Sequence, residues 1–367
     1  MRIAQISTCW APTPPRHYGG TELVVSSLTE ELVRRGHDVT LFAPGDSCTT
    51  ARLESYYETS LGTARIVSEP YAGLPHVLHA YDSARTSGFD VVHDHTYPMG
   101  PALGSLLPCD NVVHTLHVPF DSDVRALYQL ISDRLHFVAI SEYQRQTMPE
   151  LRYAATIHHG IDVTSYPYRS DKEGYLLFFA RMSPDKGPDR AVEIARRLGR
   201  RLVMVSKMAE PAEQHYFETQ VKPLLTPDVD VELVREVSVS DKAAIFGAAT
   251  CTLMPIRWHE PFGLVMIESL ACGTPVAGFR RGSVPEIVDD GLTGFVRDDL
   301  DGLVAALADV DAIEPAACRA AAEARFTIAT MVERYEAVYS AVASRADSAP
   351  EAARTTRSRD PQQQGKL

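Results

Sequence analysis

A chain of 367 residues, at roughly 150 residues per domain, has room for two or three domains that each bury a core of their own. Its composition is that of a soluble globular enzyme, and its net charge of -12 disfavours a nonspecific nucleic-acid or anionic-membrane surface, although local basic patches can still occur. The same charge does not exclude small anionic ligands.

The amino-terminal segment and the cysteines predict a cytoplasmic protein. MRIAQIST starts at once with a strand-like run and has no basic region followed by the apolar stretch of a signal peptide. No segment approaches about 18 consecutive apolar residues, so no transmembrane segment is expected. The six cysteines have neither a CxxC motif nor the Cys/His spacing of a structural zinc site and are interpreted as reduced thiols: Cys9, Cys48, Cys109, Cys251, Cys272 and Cys318.

The first part of the chain alternates strand and helix patterns. Residues 2–8 predict a strand, which is followed by a Pro-rich loop that ends in Tyr18-Gly19-Gly20. An apolar stripe at helical spacing then predicts a helix with Gly36 as its C-cap. Such a strand, loop, helix and strand unit builds parallel sheets. Further strands are predicted within residues 37–45, 89–95, 111–118 and 136–141.

A second unit of the same kind follows a polar stretch at residues 166–174, which is interpreted as a linker. YLLFFAR predicts a strand, MSPDKGP a loop, and 189–198 a helix capped by Gly199. Because ligands bind at the carboxyl ends of parallel strands, the cleft between two such domains is the expected site. Alternation continues through strands predicted within residues 200–206, 229–237, 251–256 and 274–279.

The last regular element is a predicted helix over residues 328–345, with apolar residues at helical spacing. It must pack on something, and composition leaves open whether it covers its own domain or crosses back to the first. Residues 346–367 are polar, lack large apolar residues apart from the last, and predict a disordered tail.

The stretch HEPFGLVMIE (259–268) contains two glutamates, Glu260 and Glu268, about 12 Å apart if a single helix joined them. Pro261 suits the first turn of a helix, so the helix is expected to begin between Pro261 and Leu264. Both carboxylates then converge near free backbone N–H groups, which suits a ligand that is part phosphate and part sugar. The alternative is that Glu260 only favours the helix dipole and Glu268 is solvated.

Cations are expected near such a ligand, and the loop ARMSPDKG provides Arg181 at a strand end and Lys186 five residues later. Arg makes a forked contact with phosphate, whereas Lys supplies a mobile point charge. A charged loop between strand and helix is more often only solvated. Its position at the corresponding crevice favours phosphate binding here.

The run HEPFGLVMIESLACGTPVAGFRRGSVPEIVDDGLTGFV (259–295) closely resembles the signature of family 4 glycosyltransferases, with the two glutamates as an E-x7-E motif. YGGTE, ARMSPDKG, HVP and HHGID add to the resemblance in family order, which covers roughly residues 1–344. The resemblance implies the α/β GT-B fold, in which two Rossmann-like, doubly wound parallel-sheet domains face each other across a cleft. It also implies that the carboxyl-terminal helix crosses back to the first domain.

The implied domains are 1–167 on the acceptor side, joined by helix 328–345, and 168–327 on the donor side, with the tail at 346–367. The resemblance implies that Glu268 binds ribose hydroxyls and Glu260 the hydroxyls of the donor sugar. Arg181 and Lys186 would neutralise the diphosphate. Further implied donor-site residues are Gly19, Gly20, Gly263 and Leu264, through their backbone, His117 beside the anomeric carbon, and Val237 in the base-binding stretch.

The family retains anomeric configuration and is best described by a front-face mechanism, in which the leaving phosphate takes the acceptor's proton. Stabilisation of that phosphate by Arg181 and Lys186 would be the main catalytic effect. Neither a metal ion nor another cofactor is expected. Arg235 stands where the family commonly has glycine beside the base, a departure from the family pattern at the position that meets the base.

Three other patterns compete with this interpretation. Asp121-Ser122-Asp123 spells the DxD metal motif, but the motif recurs at residues 228–230, 299–301 and 309–311 and is attributed to chance. His93-Asp94-His95 alternates along a strand, so its side chains do not share one face, and a strand end near the cleft is the better interpretation. Four arginines near a helix end are interpreted as a solvated face: Arg196, Arg197, Arg200 and Arg201.

The sequence thus predicts a cytoplasmic retaining hexosyltransferase of carbohydrate or natural-product biosynthesis, with a nucleotide-sugar donor, most simply a UDP-hexose. A GT-B sugar-nucleotide epimerase and a non-catalytic sugar-nucleotide-binding protein remain as alternatives. A phosphorylase would carry a pyridoxal lysine, for which there is no signature. The acceptor can be a glycan, metabolite, antibiotic or lipid. It is expected to meet loops 44–57 and 96–104, with His95 or Tyr97 touching it, and no nucleic-acid partner is expected.

Overall fold

Two parallel β-sheets, each covered by helices on both faces, make up the chain. The computed structural model describes residues 1–16, 19–63, 65–107, 110–120, 122–208, 210–235, 237 and 239–348. The first sheet has seven strands in the order β3-β2-β1-β4-β5-β6-β7. Its strands are β1 (Arg2–Ile6), β2 (Asp38–Phe42), β3 (Arg52–Glu54), β4 (Val91–Asp94), β5 (Val112–Thr115), β6 (His136–Ala139) and β7 (Tyr153–Thr156).

The second sheet has six strands in the order β10-β9-β8-β11-β12-β13. Every strand pair in both sheets is parallel, as a strand that alternates with a helix requires. The strands are β8 (Leu176–Phe179), β9 (Leu202–Val205), β10 (Val231–Val234), β11 (Cys251–Met254), β12 (Val276–Phe279) and β13 (Gly294–Arg297). The boundary at 167/168 stays a prediction.

Helices connect the strands and cover both sheets. In the first part of the chain they are α1 (Gly20–Arg34), α2 (Arg65–Ser68), α3 (Leu74–Ser87), α4 (Met99–Gly104), α5 (Ser122–Ile131) and α6 (Glu142–Thr147). They continue as α7 (Pro188–Leu198), α8 (Pro211–Tyr216), α9 (Val239–Ala248), α10 (Leu264–Ala271), α11 (Val284–Ile287), α12 (Leu300–Leu307), α13 (Pro315–Arg325) and α14 (Ile328–Ser348). None of the described helices is long and apolar enough to cross a membrane.

Both faces of the first sheet are buried, which explains its nearly continuous apolar strands. Neighbouring residues of β1 point to opposite faces, so Ala4 packs beneath α3 and Ile3 packs against α1 and α14. In α14, Tyr335 and Tyr339 are fully buried against the strands of the first sheet. The last helix therefore crosses from the second sheet back to the first.

Helix α14 ends at Ser348, three residues beyond the predicted end at residue 345. Residues 346–348 carry no apolar stripe, so the sequence pattern did not predict that they are helical. This corrects the beginning of the predicted tail. Its remainder, from residue 349 on, lies outside the described residues.

Candidate functional site

The carboxyl ends of the central strands face one cleft between the two sheets. The strand order reverses at β1 and β4 in the first sheet and at β8 and β11 in the second. Such switch points leave a crevice at the strand ends, where ligands bind. The predicted site residues follow these strands: Gly19 and Gly20 after β1, His95 after β4, His117 after β5, Arg181 and Lys186 after β8, and Glu260 after β11.

Helix α10 begins at Leu264, within the range that Pro261 and Gly263 predict. Gly263 is its N-cap in the left-handed conformation, with φ 81, which favours glycine because it has no Cβ. Glu260 therefore lies in the loop before the helix and Glu268 within it. The first N–H groups of α10 are free of intrahelical partners and, together with the helix dipole, favour an anion.

Glu260 is held in place by its own backbone and by an ion pair. The N–H of Ser283 donates to the Glu260 carbonyl at 2.9 Å. Lys186 Nζ lies 2.6 Å from Glu260 Oε2, with both residues buried, and Trp258 Nε1 donates to the same oxygen at 3.1 Å. The Lys186 ammonium also lies 4.2 Å from the centre of the Trp258 ring, a cation–π distance.

Glu268 is 1% exposed and has two protein partners on one oxygen. Lys242 Nζ lies 2.6 Å from Glu268 Oε1, and the Tyr166 hydroxyl donates to that atom at 2.9 Å. Burial and the Glu268 carboxylate raise the pKa of Tyr166. The other oxygen, Oε2, is buried without a hydrogen-bond partner among the described residues. An unpartnered carboxylate oxygen is costly, and a hydroxyl donor from a ligand would satisfy it.

Arg181 is more exposed than Lys186 and lies between two carboxylates. Its guanidinium is 3.5 Å from Asp185 and 3.6 Å from Glu213. These distances are long for charge-assisted hydrogen bonds, so the guanidinium can turn toward a ligand at little cost. Arg181 and Lys186 thus follow the same strand but differ in exposure and in the closeness of their carboxylate partners.

The amino termini of α1 and α10 meet across the cleft. Gly20 is the first residue of α1, and a Cβ at this position would lie 3.6 Å from Leu264 Cδ1 at the start of α10. A Cβ on Gly19 would lie 2.8 Å from a Glu22 carboxylate oxygen, so only glycine fits there without displacement. Two positively polarised helix ends therefore face the same volume as Lys186.

Histidines line the first-domain side of the cleft. His117 Nε2 lies 2.9 Å from His95 Nδ1, and the His117 ring stacks on His159 with 5.4 Å between ring centres. Burial lowers the pKa of His117 to about 3, so the ring is neutral at physiological pH. His95 is 2% exposed and both of its ring nitrogens have protein partners. Tyr97, which is 38% exposed, is the more accessible of the two residues expected to touch an acceptor.

The stretch that the resemblance implies for base binding lies at the end of β10. Val237 is half-buried and packs beside an apolar group that includes Phe246 on α9. Arg235, which replaces the glycine common in the resembled family, is exposed. Its side chain is therefore largely in contact with solvent.

The two halves of the cleft are connected by Glu286 on α11. Its carboxylate accepts the backbone N–H groups of Glu142 at 2.8 Å and Tyr143 at 2.6 Å, at the start of α6. His158 Nε2 lies 3.2 Å from the same carboxylate. A helix end of the first domain is thus capped by a side chain of the second.

The competing patterns have structural explanations. Asp94 accepts hydrogen bonds from Tyr81 and Thr96, whereas the ring centres of His93 and His95 lie 3.9 Å apart on the other side of the strand. Asp299 caps α12, and Asp121 lies outside the described residues. No group of three metal-ligating side chains occurs within the described ranges. The four arginines pair with carboxylates: Arg196 with Glu193 and Asp228, Arg197 with Asp301, Arg200 with Asp311, and Arg201 with Glu232.

Several residues of the site were not singled out by the sequence pattern. Trp258 directly precedes the 259–268 stretch, so its position next to Glu260 was the one available signal. Lys242 and Tyr166, which contact Glu268, are 26 and 102 residues from it in the sequence. No local sequence pattern predicts such contacts. Gln5 reads as an ordinary residue of a buried strand.

Two family models match the chain in succession. The first, Glycosyltransferase Family 4, matches residues 18–165, and the second, Glycosyl transferases group 1, matches residues 167–324. A relative from Mycolicibacterium smegmatis, D-inositol 3-phosphate glycosyltransferase, is 26% identical over 386 residues, which cover 88% of this chain and 86% of the relative.

Solved glycosyltransferase structures have the same fold. Sucrose-phosphate synthase from Thermosynechococcus elongatus has a TM-score of 0.77 at 19% identity, over 94% of this chain and 100% of that one. Anabaena HepE, solved in complex with UDP, has a TM-score of 0.71 at 19% identity, over 93% and 100% of the two chains. The predicted GT-B arrangement of two parallel-sheet domains is confirmed.

Proposed function

The chain belongs to glycosyltransferase family 4, and from this premise we propose that it is a retaining enzyme that transfers a hexose from a UDP-hexose to an acceptor hydroxyl. Sugar transfer itself follows from the family. The nucleotide, the sugar, the stereochemistry and the acceptor are what we propose.

One observation carries the proposal: the amino termini of α1 and α10 meet beside the pair of Lys186 and Glu260. Backbone N–H groups and an ammonium bind phosphate oxygens, whereas a carboxylate binds hydroxyl protons. A nucleotide-diphosphate sugar has both kinds of group within a few ångströms. In the absence of donor, Glu260 neutralises Lys186, and a diphosphate would take over that role and free Glu260 for sugar hydroxyls.

The nucleoside would lie along α10 toward Glu268. The unpartnered Oε2 of this carboxylate supports a role in binding ribose hydroxyls, because Lys242 and Tyr166 already occupy Oε1. The base would contact the backbone near Val237. The choice of uracil is supported by Anabaena HepE, which shares the fold and was crystallised with UDP and with UDP-glucose.

The proposed reaction retains configuration at the anomeric carbon. The bond between this carbon and the β-phosphate oxygen breaks, and the acceptor oxygen forms its bond on the same face. The acceptor proton passes to the leaving phosphate, so no protein nucleophile is needed. Arg181 and Lys186 would stabilise the charge that develops on that phosphate, a preorganised electrostatic effect, and no metal ion or other cofactor takes part.

The remaining first-domain residues would complete the site. His117 would lie beside the anomeric carbon, and the backbone of Gly19 and Gly20 would contact the phosphate. Tyr97, exposed after β4, would face the acceptor.

The proposal can be tested by incubating the protein with a panel of UDP-, GDP- and ADP-sugars and measuring the release of free nucleotide, with binding measured by calorimetry. We expect turnover with at least one UDP-hexose and with no GDP- or ADP-sugar, and an α-configured product from an α-configured donor by NMR. Turnover confined to another nucleotide would overturn the donor assignment. Interconversion of sugar nucleotides would identify an epimerase, and binding without turnover a non-catalytic protein.

A further inference from the structure

A continuous chain of hydrogen bonds runs from the cleft into the core of the first domain. His117 Nε2 lies 2.9 Å from His95 Nδ1, and His95 Nε2 lies 2.9 Å from Gln5 Oε1. Gln5 Nε2 then donates to the Tyr339 hydroxyl at 3.0 Å. The chain therefore connects the ends of β5 and β4 with the middle of β1 and with α14, the helix that crosses between the domains.

The same chain continues beyond Tyr339. The Tyr339 hydroxyl lies 2.6 Å from His93 Nδ1, and His93 Nε2 lies 2.8 Å from Thr115 Oγ1. Thr115 Oγ1 lies 2.9 Å from the Tyr335 hydroxyl. The chain of hydrogen bonds thus crosses three neighbouring strands, with Tyr339 in its middle and Tyr335 at its end.

Such a chain is unusual in the centre of a parallel sheet, where both faces are normally apolar. Gln5 and His93 are fully buried, and buried polar groups contribute to stability only when every donor and acceptor is satisfied. Apolar side chains of similar volume would fill this space at lower cost. The polar chain ends at one accessible group, His117. This arrangement indicates that the buried polar residues serve a function of His117.

The protonation states of the histidines determine the direction in which the hydrogen bonds of this chain run. Burial holds the pKa of His95 well below its ordinary value, so its ring is neutral and has one donor and one acceptor nitrogen. The Gln5 carbonyl can only accept, so His95 Nε2 must carry the proton and Nδ1 must accept. His117 Nε2 then donates to His95 Nδ1. Because His117 is also neutral, its Nδ1 is left with a lone pair.

The orientation of the Gln5 amide sets this direction, and the Tyr339 hydroxyl bonds to the other end of the amide. With Nε2 of Gln5 directed at Tyr339, the tyrosine proton is free to go to His93 Nδ1. A flipped amide would reverse every bond and put a proton on His117 Nδ1. The orientation of one buried amide therefore decides whether His117 offers an acceptor or a donor.

We propose that Gln5, His95 and Tyr339 are positioning residues that set the tautomer of His117, so that its Nδ1 accepts a hydrogen bond from a hydroxyl of the bound substrate. This inference rests on the proposed function for the identity of the substrate. Within the described residues, no hydrogen bond to His117 Nδ1 is formed, and the half-buried ring faces the cleft. The hydroxyl is that of the donor sugar or of the acceptor.

The tautomer can be measured without any substrate. Long-range ¹H–¹⁵N NMR of the imidazole rings distinguishes a protonated Nε2 from a protonated Nδ1. In the full-length protein we expect His117 to be protonated at Nε2. In Gln5→Leu and Tyr339→Phe, the amide is absent or has lost its anchor, and we expect a mixture of tautomers. Protonation at Nδ1 in the unsubstituted protein, or an unchanged tautomer in both variants, would overturn the inference.

Tyr335→Phe is the matched control, since Tyr335 lies one turn from Tyr339 on α14, is equally buried, and also ends in this chain. It contacts Thr115 and not Gln5, so its loss should leave the His117 tautomer unchanged. A tautomer shift as large as that of Tyr339→Phe would show that helix packing, and not the amide, is responsible.

Kinetics with the sugar nucleotide that is turned over provide the second measurement. We expect roughly fivefold lower kcat for Tyr339→Phe, the size of one lost neutral hydrogen bond, with the donor KM within about twofold. Tyr335→Phe should keep kcat within about twofold. A shifted tautomer with unchanged kcat would refute the role in substrate binding. Absence of turnover in the unsubstituted protein would refute the proposed function, while the NMR measurement would still decide the tautomer.

Discussion

At the scale of single residues, a bound diphosphate would have to separate Lys186 from Glu260, which form an ion pair. Both residues are buried, so neither charge can be screened by solvent, and removal of one leaves the other uncompensated. The two charges neutralise each other within the cleft. Trp258 contacts both partners and limits where each can move.

Replacement of Lys186 by methionine tests this arrangement. Met approximately preserves the length of the side chain and removes its charge, so in the proposed mechanism the leaving phosphate would lose a preorganised cation. We expect kcat for nucleotide release to fall by about 10²- to 10³-fold, as for other groups that stabilise developing charge. Thermal unfolding would be followed in parallel, because the unpaired Glu260 carboxylate should also lower stability.

The control for this variant is Lys222→Met, which removes an exposed lysine that pairs with Glu218, four residues earlier in the chain. Its activity and stability should be unchanged, because exposed pairs of this kind contribute little. Full activity in Lys186→Met would show that the phosphate lies elsewhere.

The sequence identified this pair of residues but not its surroundings. Glu260 and Lys186 could be predicted because each lies in a short sequence motif whose neighbouring residues indicate its chemistry. Lys242 and Tyr166 could not, because their role depends on contacts with Glu268 that only the tertiary structure creates. The same holds for Gln5, a polar residue in a buried strand.

At the scale of secondary-structure elements, the start of α10 determines where the site lies. Gly263 allows the chain to turn from the loop that holds Glu260 into the helix, in a left-handed conformation that other residues adopt only with strain. A Cβ at this position would lie 2.8 Å from Met266 Cε and 3.1 Å from Glu260 Cγ. The turn is therefore both conformationally restricted and closely packed.

Gly263→Ala and Gly174→Ala form a matched pair, since both glycines have φ 81 and nothing lies within 4 Å of a Cβ at Gly174. Each substitution should cost about 1 kcal/mol in backbone strain. Gly263→Ala should in addition displace Glu260 and lower kcat/KM about tenfold or more, whereas Gly174→Ala should leave it unchanged. Denaturant unfolding and steady-state kinetics would measure both. Equal kcat/KM in the two variants would contradict a role for the packing around Gly263.

Most of the strands could be predicted from the sequence because their apolar patterns are strong, whereas β13 (Gly294–Arg297) and most of the helices were not predicted. The buried strands β1, β4, β5, β8 and β11 are short apolar runs bounded by turns, and they match their predictions. β3 (Arg52–Glu54) and β7 (Tyr153–Thr156) were missed because they lie at the two edges of the first sheet and are partly exposed. Edge strands bury less surface and need less apolar sequence, so the pattern there is weak.

At the scale of the whole molecule, the first domain contains several histidines that are buried in their neutral form. Burial lowers the pKa of His114 to about 3, and it lowers that of His117 to the same value. Burial raises the pKa of Asp94 to about 6. The two effects act on stability with opposite signs. The pKa of further residues is also lowered by burial: His76, His93, His95, His136 and His159.

The unfolded chain would take up protons on these histidines near pH 6.5, whereas the folded chain would not until about pH 3 for His114. Stability is therefore undiminished above about pH 6.5 and should fall as the pH decreases below it, by at most about 1.4 kcal/mol per pH unit for each such histidine. Asp94 opposes this between its unfolded pKa and about 6, because the folded state then binds the extra proton. Because the buried histidines are more numerous than this one aspartate, the net effect is a loss of stability as the pH decreases.

Urea unfolding at pH values from 8 to 5 would measure this dependence. We expect a constant midpoint down to about pH 7 and a steep decrease below it. His114→Gln should reduce the slope of the unfolding midpoint against pH. His114 is 1% exposed and neutral in the folded state, and without it the unfolded chain would have one histidine fewer to protonate. A midpoint that rises as the pH falls would contradict the assignment of neutral buried histidines.

Helix α14 contributes Tyr335 and Tyr339 to the core of the domain that contains the first strand of the chain. A ribosome synthesises β1 before the second sheet and α14 only after it. The first domain therefore cannot close its core until α14 has been made, while the second domain has its strands complete by Arg297. We expect nascent chains arrested before residue 328 to expose the apolar surface of the first sheet. The two domains would then complete their folding in the reverse of the order in which they are synthesised.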